Sequence, residues 1–370
     1  MTTDLETIGL LRDSLERYGA ERYSFLQRWP LLDQPGAFSP AVWQDYADYG
    51  WLGLRLPEDL GGLDGDAVAV GALMEVSGSR LLLEPLLSCA VLATGLLRRL
   101  GSVCQQAELL PAIAEGRLKL VLAGGATSAP TCNYRAGRLH GRVQAVLHGD
   151  IADQLLVPAR DEDGILRVLL VDANAPGVER QVFRLVDGRG AANVRFNAAA
   201  AQPLGPPERV EDAASALGET ADEASVALCA EALGIATSLL RSTNEYLKVR
   251  RQFGKALAEN QALQHRMSEL YLLCEEIRAL TRAAQRSMPL PAAQRARLLS
   301  GARTYVLQAA QKIGNEAIQL HGGVGITEEL EVSHHFRRLM VNAQLFGNRD
   351  AHFLRFVDLS LENVRETHHA

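Results

Sequence analysis

Apolar and polar positions follow three textures in turn along this chain. From residue 5 to about residue 120, apolar residues recur at helical spacing between short breaks. Ser39-Pro40 has the chemistry of an N-cap followed by proline in the first turn, which predicts a helix from Ala41-Val42-Trp43 to Tyr49. Pro57 and the pair Gly61-Gly62 predict a loop, a second apolar run predicts a helix over 67–78, and Glu84-Pro85 opens another through about residue 97. After Lys119 the texture changes. Short apolar runs at 120–122, 143–147, 154–157, 166–171 and 194–196, separated by Gly, Asp, Asn and Pro, predict strands of a compact antiparallel domain. Pro203, Pro206 and Pro207 predict a linker. Beyond Ala213 the chain is rich in Ala, Leu, Glu and Arg. Breakers are few until Pro289 and Pro291, and few again to Gly322, the pattern of long bundle helices. The expected class is α+β, mainly α: an N-terminal helical domain (1–118), a middle antiparallel β domain (119–208) and a C-terminal four-helix bundle (209–370).

Composition narrows the function. A chain of 370 residues exceeds one comfortable hydrophobic core, which suits that division. A net charge of −6 leaves no basic footprint for nucleic acid. No run of about 18 or more uncharged apolar residues is present, so no membrane span is expected. The N-terminus carries Asp4 and Glu6 rather than the basic-then-apolar order of a signal peptide. Cys89, Cys104, Cys132, Cys229 and Cys274 are scattered, with no CxxC pair and no zinc spacing. The expectation is a cytoplasmic protein with buried thiols and no metal site.

Two segments of the helical half carry chemistry. The first runs Tyr246-Leu247-Lys248-Val249-Arg250-Arg251-Gln252-Phe253-Gly254-Lys255 and continues into Gln261-Ala262-Leu263-Gln264-His265-Arg266. It is expected to end a helix at Gly254, with cationic and aromatic groups displayed just before the stop. Arginine there matches phosphate oxygens through its fork of donors. The second, Gln319-Leu320-His321-Gly322-Gly323-Val324-Gly325-Ile326-Thr327-Glu328, places three glycines after a helix, where backbone N–H groups can approach a ligand. Each also has a plain reading: Arg250-Arg251 as a solvated helix end, the glycines as a helix stop.

At this order and spacing the two segments together resemble the acyl-CoA dehydrogenase family, and the likeness extends over nearly the whole chain. Trp51-Leu52-Gly53-Leu54 through Pro57-Glu58 and Gly61-Gly62 is similar to that family's first-domain loop. Ala230-Glu231-Ala232-Leu233-Gly234 is similar to the start of its dimerising helix, and Glu328-Glu329 through Arg337-Arg338 to its last-domain turn. The resemblance implies an FAD enzyme that introduces an α,β double bond into an acyl-CoA thioester. A glutamate takes the α proton and the flavin accepts hydride. It also implies an FAD site shared between subunits, in which Arg250, Phe253, Gln261, Gln319, Gly322 and Gly323 are the elements given to a neighbour near the ADP portion. An electron-transferring flavoprotein is the expected electron acceptor.

Three positions depart from the family pattern. The commonest catalytic glutamate precedes a Gly-Thr pair, whereas this chain has Leu345-Phe346-Gly347-Asn348, with Phe346 in the base's place. A phenyl ring cannot accept a proton. Some members carry the glutamate early in the helix leading to Tyr246. Ala224 falls there, with Glu223 adjacent but pointing about 100° away on a helix. Glu223 and Glu231 remain alternative bases, against readings as a first-turn carboxylate favoured by the helix dipole and as an inter-helix partner. The family's Thr-Glu-Pro and Gly-Ser-Asp loop is replaced by Ala123-Gly124-Gly125-Ala126-Thr127-Ser128-Ala129-Pro130, where Thr127 or Ser128 either replaces a flavin hydrogen bond or decorates a turn.

The ending from Leu345 to Phe356 resembles the small subunits of heteromeric α2β2 members acting on steroid side-chain or dicarboxylic acyl-CoAs, pimeloyl-CoA dehydrogenase small subunits among them. The leading expectation is a subunit without its own catalytic glutamate that completes the FAD site of a larger homologous subunit, with Phe346 packing into the vacated catalytic pocket. The alternatives are a self-sufficient homo-oligomeric enzyme using Glu223 or Glu231, and a scaffold subunit without redox chemistry.

Overall fold

The structure, a computed structural model, describes residues 4–124, 130–206 and 212–369. The helices of the first part are α1 (Leu5–Glu21), α2 (Phe25–Arg28), α3 (Pro40–Asp48), α4 (Ala67–Arg80), α5 (Thr94–Leu100) and α6 (Val103–Ala114). The strands that follow are β1 (Leu120–Leu122), β2 (Cys132–Arg135), β3 (Arg138–Leu147), β4 (Gln154–Arg160), β5 (Leu166–Asp172), β6 (Val178–Arg184), β7 (Gly190–Ala200) and β8 (Gln202–Pro203). Then come α7 (Asp212–Val249), a hairpin of β9 (Arg251–Gln252) and β10 (Lys255–Ala256), α8 (Gln261–Ser287), α9 (Ala292–His321), α10 (Glu331–Asn342) and α11 (Arg349–His369). The chain is helical in its first and last parts, with the strands between them. The chain gathers into two compact units. One holds Met1–Ile8, Leu26–Val70 and Leu83–Ala224; the other holds Gly9–Phe25, Gly71–Leu82 and Ser225–Ala370.

In the first unit local chemistry starts α3 where the pattern placed it. The Ser39 side chain accepts the Val42 N–H with Pro40 in the first turn, and α3 buries Trp43 and Tyr46 behind that cap. Ser102 and Gln105 form a capping box that opens α6. The restart expected after Glu84-Pro85 takes a different form. Leu86–Ala93 winds as a wider π-helix, buried throughout, before α5 continues it.

The sheet runs β6-β7-β3-β2-β4-β5-β8, with β1 on β4. It is antiparallel except that β1 and β2 lie parallel to β4. All five apolar runs of the pattern lie in strands, and their inward residues, among them Val121, Leu155, Val157, Leu169, Val171, Val194 and Phe196, form one core. The pattern missed β6, an edge strand whose side chains are exposed or half-exposed, so no apolar alternation marks it. Pro203 sits in β8 opposite Leu169 rather than in a linker, and Pro207 lies outside the described residues.

In the second unit the later part of α7 packs with α8, α9 and α10 around Leu233, Ile235, Leu239, Ile277, Val306, Ile313, Leu320 and Leu339. Gly78 and Gly234 let α4 and α7 touch backbone to backbone. A Cβ on either would run into the carbonyl oxygens of Glu231 or Glu75. Pro291 precedes α9 as the breakers implied. By length and hydropathy alone α7 meets the criterion for a membrane span, but 89% of its apolar window is buried in the protein. Cys89, Cys132, Cys229 and Cys274 are buried; Cys104, expected inside, is exposed.

Candidate functional site

The two glycine-bearing segments meet at one end of the second unit. Helix α7 stops at Val249, five residues before Gly254, because the chain turns there into the β9–β10 hairpin, with Arg251 opposite Ala256 and Gln252 opposite Lys255. A two-residue turn of this hand needs positive φ at both central residues, and Phe253 (φ 51°) and Gly254 (φ 82°) provide it. Gly254 is therefore a hairpin glycine and not the helix stop expected of it. Leu257 N–H returns to the Arg250 carbonyl, and Asn260 caps α8 by accepting the Ala262 N–H, which sets Gln261 at its first position.

Helix α9 ends at His321, after which Gly322 (φ 67°, ψ −148°) turns the chain into Gly322–Ile326. That backbone region is essentially open to glycine alone. A Cβ at Gly322 or Gly323 would meet nothing within 4 Å, so the backbone there is open to a ligand. The Tyr246 ring stacks on His321, centroids 4.4 Å apart, and its hydroxyl donates 3.2 Å to the His321 carbonyl. Burial holds the His321 imidazole below its ordinary range, so it stays neutral near pH 7. The local positive charge comes from the arginines and lysines.

Arg250, Phe253, Gln261, Gln319, Gly322 and Gly323 are all exposed at this end. Phe253 is 99% exposed, and Arg250 has no carboxylate partner among the described residues. A guanidinium without such a partner, a glycine backbone open to close approach and an uncovered aromatic ring suit an anionic ligand with an apolar or aromatic part.

The positions weighed as bases are arranged differently. Phe346 lies in the turn after α10 at φ 56°, half-buried, its carbonyl accepting from His352 Nε2 at 3.2 Å. Burial and the charges of Arg303 and Arg355 push His352 down to about 4, so it is neutral and donates to that carbonyl. Glu223, 6% exposed, lies 2.5 Å from a guanidinium nitrogen of Arg55 and 2.5 Å from one of Arg99. Burial alone would raise its pKa, and the two guanidinia outweigh that and hold it below the usual carboxylate range. Glu231 is fully buried; Arg338 donates to one oxygen at 2.9 Å and the Asn342 amide to the other at 2.7 Å. The sequence carries no local sign of these pairings, since Arg55 is 168 residues from Glu223 and Arg338 is 107 from Glu231. The contacts of Tyr246 and His352 also went unread. An aromatic one helical turn before Arg250 is the signal that could have found the first. Thr127 and Ser128 lie outside the described residues.

Known proteins agree with this architecture. Residues 6–117 match the acyl-CoA dehydrogenase N-terminal domain and residues 215–356 the acyl-CoA dehydrogenase C-terminal domain, between them most of the chain. Acyl-CoA dehydrogenase IpdE2 of Mycolicibacterium smegmatis is 27% identical over 314 residues, covering 84% of this chain and 85% of that protein. The steroid ACAD Tcur3481-Tcur3483 superposes with a TM-score of 0.87 at 26% identity, over 97% of this chain and 99% of that one. The ChsE4-ChsE5 complex of Mycobacterium tuberculosis gives 0.86 at 25% identity, over 97% and 98%. The chain belongs to the acyl-CoA dehydrogenase family, whose cofactor is FAD.

Proposed function

We propose that this chain is a subunit of an FAD-dependent acyl-CoA dehydrogenase that completes a partner subunit's FAD site and relies on that partner for the catalytic glutamate. The observation that carries the proposal is the state of the three base positions. One is a phenylalanine, and the carboxylates of the other two are held in buried ion pairs. A general base needs a free lone pair and a pKa near the working pH. Glu223 is held ionised between two guanidinia and Glu231 has both oxygens engaged, so neither has that freedom.

The residues present fit part of FAD. Arg250 suits the diphosphate, the open backbone at Gly322-Gly323 lets the cofactor come close to the main chain, Phe253 offers an apolar face, and the Gln261 and Gln319 side-chain amides suit polar edges. When bound, FAD supplies the acceptor for the hydride that leaves the β carbon of the acyl thioester. This chain's own residues bind and orient; the α proton goes to a carboxylate of the partner subunit. Two solved relatives with paired names support a heteromeric assembly, and the naming of one as a steroid ACAD supports a steroid side-chain or dicarboxylic acyl-CoA as substrate. Within the same reading an electron-transferring flavoprotein takes the electrons, in a cytoplasmic setting.

Expressed alone, the chain should purify almost colourless and without turnover. Co-expressed with a larger, glutamate-bearing homologue, it should give a yellow complex that oxidises acyl-CoA. A lone chain that holds stoichiometric FAD and turns over overturns the proposal. Turnover lost in Glu223→Gln or Glu231→Gln of that lone chain, with folding intact, would then identify its base.

A further inference from the structure

Tyr246 touches both parts of the exposed end. Its carbonyl accepts the Arg250 N–H at 2.9 Å, the closing bond of α7. Its hydroxyl donates to the carbonyl of His321, the residue before Gly322, and its ring lies on the imidazole with 26° between the planes. His321 is itself anchored, its Nδ1–H donating to the Ala317 carbonyl at 2.8 Å. Beyond His321 the chain leaves the helix through two glycines, and no neighbour stands where their Cβ atoms would be. The Gly322 N–H closes the end of α9 on the Ile318 and Gln319 carbonyls, and the chain runs on as a short 3-10 helix. The grip on the His321 carbonyl comes from within, and from the residue that also closes the helix at Arg250.

We infer that Tyr246 is a positioning residue for the cofactor half-site, fixing the Gly322-Gly323 backbone relative to Arg250 so that the open main chain and the guanidinium meet one ligand together. Two glycines in series are the most flexible of backbones, and a half-site that had to order them on binding would lose affinity; holding them in advance avoids that cost. The inference rests on the half-site assignment of the preceding section.

The test measures FAD dissociation by flavin fluorescence on the complex purified with its natural partner through a tag on this chain. Tyr246→Phe removes one oxygen and keeps the ring. It should weaken FAD binding about three- to tenfold, as expected for one neutral hydrogen bond. Tyr246→Ala removes the stack as well, for about ten- to a hundredfold. The KM for acyl-CoA at saturating FAD and the melting temperature of the Tyr246→Phe apo-complex should not move, and excess FAD should restore turnover. If Arg250→Ala weakens FAD binding while Tyr246→Phe does not, the positioning role is wrong and the half-site stands. If Arg250→Ala has no effect, the half-site assignment fails and the inference with it. A Tyr246→Phe loss of activity that excess FAD does not restore, with a lowered melting temperature, makes the tyrosine purely structural and also overturns the inference. Should Tyr246→Ala fail to fold, the phenylalanine variant decides alone.

Discussion

The exposed end of the bundle and the turn-and-helix positions of the missing base handle charge in opposite ways. At the exposed end Arg250 has no carboxylate partner among the described residues, Phe253 is uncovered, and the glycine backbone is open. At the base positions every carboxylate is matched: Glu223 by Arg55 and Arg99, Glu231 by Arg338 and Asn342. A fold that satisfies a group internally takes it out of chemistry, and a group left unsatisfied at the surface is available to a ligand. By that measure the exposed end suits an anionic ligand, and neither Glu223 nor Glu231 is free to take a proton.

The strongest way to break the contrast is Glu231→Ala. If Glu231 is structural, its removal breaks the buried pair with Arg338 and should lower stability by about 3–5 kcal/mol in chemical denaturation. A carboxylate kept for catalysis would instead lose turnover at near-normal stability. His352 sharpens the same side of the comparison, because it holds the Phe346 turn in place. Its pKa is lowered in the folded chain to about 4 from 6.5. Between those values the unfolded chain binds a proton that the folded chain does not. Stability from this group is therefore present above pH 6.5 and lost as the pH falls toward 4, about 3 kcal/mol in all. Denaturation curves of His352→Gln should lack that share of the acid slope while wild type shows it.

The two regions were also unequally legible in the sequence. Helix starts such as Ser39-Pro40 were readable because capping is local, and the six residues proposed as a half-site were named through a family resemblance carried by two short segments. The ion pairs of Glu223 and Glu231 join residues more than a hundred apart, and only the folded chain brings them together. Gly254 was misread for a related reason. Glycine at positive φ ends helices and turns hairpins alike, and the choice depended on the β9–β10 pairing beyond it. Strand β6 went unseen because its side chains are exposed or half-exposed, so no apolar alternation marks it.

On the exposed side, Arg250→Ala should separate binding from folding. The side chain is exposed and makes no ion pair among the described residues, so the stability of the lone chain should change by less than about 0.5 kcal/mol. Its loss from the complex removes charge-assisted bonds worth about 1.5–3 kcal/mol, or about ten- to a hundredfold in FAD affinity. Isothermal titration of the complex and denaturation of the lone chain read the two effects separately.

The smallest effect has the sharpest sign. Phe253 is a bulky residue in the left-handed region with its ring in solvent, so within this chain it brings strain and no burial. Asparagine adopts that conformation far more readily, and Phe253→Asn should stabilise the lone chain by about 1 kcal/mol while weakening FAD retention in the complex. A variant that improves the isolated subunit and impairs the assembly is what a residue kept for a neighbour's cofactor requires. A residue that served only its own hairpin would move both measurements in the same direction.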